Sequence, residues 1–168
     1  AFKPNIAFTL RALMNTSTHA PALFISHGAP TFALEPSRLG PILNKLGTTL
    51  SGIRAVLVVS PHWQTNGAVR VMSAAAPETM HDFGGFPAAL YQLQYPAPGD
   101  PQLAQEVAEL LTQAGWPVQL DAQRPLDHGA WVPLMHLLPK ADVPVFQVSM
   151  PFDLNTVTAY QLGQALAP

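Results

Sequence analysis

A chain of 168 residues with 8 basic and 10 acidic groups and a net charge of −2 has the length of one domain. It lacks the positive footprint that binding nucleic acid requires. It contains no cysteine, which excludes disulfides and thiolate ligands, so a transition-metal site must rest on His, Asp or Glu. Hydrophobic residues make up 48% of the chain and charged residues 11%, under half of the roughly 25% usual for soluble domains. Such a chain is mostly interior, or has part of its surface covered. No apolar run approaches the ~20 residues of a membrane span, and cysteine usage fits the cytoplasm.

Residues 1–13 read as a leader or an extension. Lys3 and Arg11 flank a weakly apolar centre too short and interrupted for a signal peptide, and Met14 follows as the expected natural start. Residues 14–168 read as a single α/β domain. Its first expected strand is Pro21 to Ile25, which runs into Ser26-His27-Gly28. A helix is expected from about Pro41 to Leu50, ended by Ser51-Gly52.

The stretch Ala55 to Val59 is apolar, rich in valine and does not alternate, so it reads as a central strand buried on both faces. Pro61 cannot donate to a ladder and should end the pairing. His62 would then sit at the strand's carboxyl end, where open α/β sheets place their ligands. With His27 at the other strand exit, it forms a plausible half of a metal site.

Asn66-Gly67 marks a turn, and Val69 to Ser73 a strand suited to a sheet edge. The segment His81-Asp82-Phe83-Gly84-Gly85-Phe86-Pro87 opens a short helix, Ala88 to Gln94. Its paired glycines suit either a close approach to a ligand or an ordinary tight turn. Asp100-Pro101 is a good N-cap and first helical residue, Leu103, Val107, Leu110 and Leu111 form one stripe, and Gly115 ends that helix. A short strand follows, Pro117 to Leu120. His128 enters a buried helix that runs to Leu138, within which His136 reads as a packed or surface residue. Asp127 precedes His128, but adjacency in sequence establishes no contact. A buried strand over Val143 to Met150 and a helix over Leu154 to Leu166 close the pattern. Alternating strands and helices indicate a layered sandwich whose central sheet, mostly parallel or mixed, is flanked by helices. Phosphate-cradling glycine loops, His-Glu-x-x-His and Gly-x-Ser-x-Gly are all missing.

Four motifs in register, Phe-Ile-Ser-His27-Gly-Ala-Pro, Val-Ser-Pro-His62-Trp, His81-Asp-Phe-Gly-Gly-Phe-Pro and Asp127-His128-Gly-Ala-Trp, resemble the class III extradiol ring-cleavage dioxygenases of the DOPA 4,5-dioxygenase type. The resemblance runs from about Pro21 to the end. It implies His27 and His62 as metal ligands and His128 as the catalytic histidine that orients a catechol hydroxyl or moves its proton. His81, Phe83, Gly84 and Gly85 would wall the substrate pocket. The implied metal is non-haem Fe(II), with Zn2+ possible on the same imidazoles, and the implied partners are a DOPA-like catechol and O2.

The family's further site histidines lie beyond the position of Pro168, so the chain reads as the amino-terminal part of a longer dioxygenase domain. By itself it is expected to bind metal weakly and to be inactive. Two other readings are a non-catalytic member that binds metal or a partner, and a zinc hydrolase. The hydrolase needs a carboxylate base near the ligands, where the sequence offers only Glu35.

Overall fold

The structure is a computed structural model that describes residues 20–167; the expected leader, 1–13, lies outside them. Strands β1 (Val56–Thr65), β2 (Val69–Met72), β3 (Val118–Asp121) and β4 (Val145–Pro151) form one sheet in the order β1-β4-β2-β3. β1 runs parallel to β4 and β2 parallel to β3, while β2 and β4 meet antiparallel at Val71 and Val148. Helices α1 (Leu39–Gly47), α2 (Pro101–Gln113), α3 (His128–Leu137) and α4 (Thr156–Ala165) complete the expected α/β architecture.

The core sits on β4. Val145 to Ser149 is buried at every position, and because successive side chains point to opposite faces, both faces of the sheet are covered there. Helix α3 lies against β1 and packs on α1, whereas α2 lies against β2 and β3. The cap of α2 is the expected one. Asp100 accepts the Leu103 N–H at 2.8 Å, Pro101 opens the helix, and Gly115 takes φ +90° just past its end. Asn155 caps α4 through a reciprocal exchange with Thr158. Among the described residues, no helix is long and apolar enough to cross a membrane.

Three placements differ from expectation. The Ala55–Val59 run belongs to β1, an edge strand, where Val56 to Val58 are half-buried and Val59 is exposed. Val69–Met72 forms an interior strand between β4 and β3, with Val69, Val71 and Met72 fully buried. Both differences have one cause: apolar content reports burial of faces, while lateral position depends on which distant strand pairs alongside. The third difference is Pro21 to Ile25, which pairs with no strand among the described residues; Phe24 is fully exposed.

α1 and α3 approach so closely that a Cβ on Gly47 would collide with the Leu137 carbonyl oxygen. At an exposed helical site, Gly→Ala stabilises by up to about 1 kcal/mol. Here the backbone carbonyl cannot swing away, so Gly47→Ala is expected to destabilise by about 1–3 kcal/mol, the usual range for overpacking. Equilibrium urea unfolding checks the sign, and a gain in stability would show that the two helices are free to separate.

Candidate metal centre

His27, His62 and His128 converge, each offering one ring nitrogen, and these three atoms all lie within 4.8 Å of one another. The nearest pair is His27 Nε2 and His62 Nε2, at 3.0 Å. The His62 and His128 ring centres are 4.0 Å apart, and His27 meets His128 edge-on at 5.1 Å. Two imidazole nitrogens at 3.0 Å can share at most one proton, so at least one lone pair is directed into the space between the rings. Burial, and then the neighbouring His128 and His62, hold His27 below the usual histidine range, which favours the neutral imidazole that ligates metals. An all-imidazole donor set suits Fe, Zn or Cu rather than Mg or Ca. The three residues therefore fit a transition-metal ion.

Each histidine arrives by a different route. His62 lies in a bulge: Val59 pairs with Val148 and Gln64 with Met150, so Ser60 to Trp63 stand opposite Ser149 alone. Pairing lapses at Pro61, as expected, but resumes at Gln64. His27 lies in irregular backbone that turns at Gly28, with φ +61°, into a 3-10 turn over Pro30–Ala33. His136 fastens that turn to α3, donating from Nε2 to the Phe32 carbonyl at 3.0 Å and meeting the Phe32 ring edge-on. This is the role of the histidine that sequence alone left as packed or surface. His128 is the first residue of α3 and is buried.

Behind the histidines lies a buried polar network. Asp127 is fully buried; Ser60 Oγ donates to its Oδ1 at 2.7 Å, and Gln147 Nε2 and Arg124 donate to its Oδ2 at 2.8 and 3.0 Å. Gln147 Oε1 also accepts the Asp127 backbone N–H, and Ser60 Oγ accepts the His62 backbone N–H. The Arg124 guanidinium lies over the Trp63 ring. Gly129 makes this approach possible, because a Cβ there would collide with Ser60 Oγ and crowd His62 Cδ2. What comes close at Gly129 is β1.

The partner of His128 is not Asp127 but Asp82. Asp82 Oδ1 accepts both the His128 Nδ1–H and the His128 backbone N–H, each at 2.9 Å. Burial opposes ionisation of Asp82, but the hydrogen bonds from the His128 side chain and backbone outweigh it and hold the carboxyl below its usual range. Met80 and Leu126 fix the two segments side by side: the Met80 N–H donates to the Leu126 carbonyl and the Leu126 N–H to the Glu78 carbonyl.

Sequence reasoning missed Asp82, Ser60, Gln147 and Arg124 as parts of the site. Asp82 carried a signal, as a carboxylate inside an apolar motif of a chain with only 10 acidic residues.

The expected wall residues divide. The Phe83 ring stands edge-on to His128 at 5.6 Å and is itself packed with Phe86, Tyr91 and Trp131. His81 meets the Phe83 and Trp131 rings and bonds the Leu93 carbonyl at 3.0 Å. Gly84 and Gly85 are exposed, and a Cβ on either would meet nothing within 4 Å; Gly85 takes φ +76°, so the turn itself demands glycine there.

The sequence matches the family model of the catalytic LigB subunit of aromatic ring-opening dioxygenase over residues 14–168. It is 43% identical over 159 residues to the 4,5-DOPA dioxygenase extradiol of Escherichia coli strain K12, covering 94% of this chain and 58% of that protein. It is 45% identical over 152 residues to the Beta vulgaris protein of the same name, covering 86% and 55%. The chain thus spans little more than half the length of these curated relatives. A crystal structure of an uncharacterized protein from Escherichia coli K12 superposes with a TM-score of 0.61 at 34% identity, over 77% of this chain and 47% of that one.

Removing one partner of a buried ion pair costs about 3–5 kcal/mol, whereas exposed pairs contribute about 0–1 kcal/mol. Asp127→Ala is therefore expected to lower stability by about 3 kcal/mol or more, and breaking the exposed Arg54–Glu106 pair with Arg54→Ala to leave it nearly unchanged. Paired urea titrations check this; equal effects would mean that the Asp127 network does not hold the fold.

Proposed function

Since the chain belongs to the LigB family of aromatic ring-opening dioxygenase catalytic subunits, we propose that it works in a metal-dependent extradiol dioxygenase that opens the ring of a catechol with O2. The observation that carries this reading is the convergence of His27, His62 and His128 beside an aromatic wall. In this reading His27 and His62 hold the metal. An Fe(II) ion held there would supply the positive charge that favours a deprotonated catechol and the redox exchange that O2 requires. Zn2+ suits the same imidazoles but has no redox chemistry, so a zinc form binds catechol without cleaving it.

The chain's own residues supply binding and proton handling. Burial, and then His128 and His62, hold His27 below the usual histidine range, which favours the neutral imidazole that ligates a metal. His128 has its Nδ1 committed to Asp82, which leaves Nε2 to accept the proton of a catechol hydroxyl. Phe83, packed against Phe86 and Tyr91 and edge-on to His128, offers an apolar contact for the catechol ring. DOPA, named in the relatives, is the first catechol to try. A zinc hydrolase is disfavoured because the carboxylate nearest the cluster, Asp82, already holds His128.

His62→Ala is expected to abolish stoichiometric metal binding by the natural gene product, measured by metal analysis after dialysis; unchanged metal content would sink the ligand assignment. The same product loaded anaerobically with Fe(II) is expected to consume one O2 per catechol and to form a yellow ring-opened product, while the zinc form consumes none. Bound iron without uptake across a panel of catechols would replace the catalytic reading with a non-catalytic metal-binding one.

A further inference from the structure

We propose that Asp82 is the positioning residue of His128: it sets the ring's rotation and tautomer, so that Nδ1 carries the proton and an unprotonated Nε2 faces His27 and His62. This rests on the reading of His128 as the group that accepts the catechol proton.

The geometry is unusually restrictive. A single oxygen, Asp82 Oδ1, takes both the backbone N–H and the ring Nδ1–H of one residue, each at 2.9 Å. The two bonds close a loop through the His128 side chain, and few settings of its two torsions satisfy both. A carboxylate can only accept, so Nδ1 must be the donor, and in a neutral imidazole the lone pair then lies on Nε2. The His128 amide is also one of the N–H groups at the start of α3 that have no partner within the helix, where a negative charge is favoured.

The residue next in sequence cannot do this. The side chain of Asp127, the N-cap residue of α3, makes no cap hydrogen bond because Ser60, Gln147 and Arg124 occupy its oxygens. Asp82 reaches the helix start from another segment, held in register by the backbone bonds at Met80 and Leu126. Among the described residues, the environment of His128 adds no rival partner. Its other neighbours are the rings of His27, His62 and Phe83, none of which offers a carboxylate.

Two measurements on 15N-histidine-labelled protein and one kinetic series test the proposal. In the metal-free natural gene product, at a pH above the ordinary histidine range, long-range 1H–15N correlation is expected to show His128 as the Nδ1–H tautomer. An Nε2–H tautomer there overturns the proposal without need of any variant. Asp82→Ala is expected to let the ring exchange between tautomers, while Asp82→Asn, which keeps an Oδ1 acceptor, retains the Nδ1–H form.

In the iron-loaded protein, Asp82→Ala should lower kcat by about 10–100-fold, the usual effect of removing a partner of a site histidine, with a smaller change in KM. Asp82→Asn should recover part of that loss. A lower unfolding midpoint with unchanged tautomer and kcat would make Asp82 a structural cap only and overturn the proposal. A wild-type Nδ1–H signal that Asp82→Ala disrupts, in a protein that consumes no O2, would support the positioning while sinking the catalytic reading on which its use depends.

Discussion

A carboxylate removed from water must be matched by donors on both oxygens or it destabilises the protein that buries it. Asp127 meets that condition with a hydroxyl from β1, an amide from β4 and a guanidinium from the segment leading into α3. The edge strand, its neighbour and the helix start are therefore tied at one point. Both His62 and His128 leave from that point, His62 two residues beyond Ser60 and His128 immediately after Asp127. Arg124, whose charge balances Asp127, is covered in turn by the Trp63 ring, which fixes the far end of the bulge. One buried ion thus determines where two of the three converging histidines can be.

The edge position of β1 makes this arrangement affordable in backbone terms. A bulge of four residues opposite one disrupts pairing with every neighbouring strand, and among the described residues β1 has only β4 beside it. Pro61, which has no N–H to offer, costs nothing there for the same reason. The bulge turns His62 outward while Ser60 and Trp63 remain buried. Gly129 then lets α3 close onto the bulge without a side chain between them. His27 is held differently, by a turn whose carbonyl is bound to His136 on the same helix. α3 is the element common to all three histidines.

The low charge content is consistent with how the few carboxylates are used. Asp127 and Asp82 both lie at the centre, one organising the backbone behind it and the other holding a ring in front. The ion pairs elsewhere are solvent-facing, Arg54 with Glu106 and Arg70 with Asp121, and contribute little by comparison. The buried polar groups gather behind the three histidines, and apolar packing on β4 supports the rest.

The α/β class, the caps at Asp100 and Gly115 and the helix that begins at His128 were all legible in the sequence, because each follows from local periodicity, turn chemistry or capping. So were His27 and His62, each just beyond an apolar run and beside a Gly or Pro break, and His128, at the entry of an apolar helix beside Gly129. What local pattern could not determine was adjacency between segments far apart in the chain. The valine-rich run at Val56 turned out to lie at the edge and Val69–Met72 in the interior, because sheet order depends on which distant strand supplies the hydrogen bonds. Pro21 to Ile25 has strand-like composition but no partner among the described residues, so it forms no strand there. For the same reason the neighbour of His128 in sequence, Asp127, faces away into the core, while the carboxylate that holds its ring comes from Asp82, brought alongside by two backbone hydrogen bonds. Side-chain chemistry was set residue by residue; which of those residues meet was decided only by the tertiary structure, through buried polar groups that must find partners wherever the fold provides them.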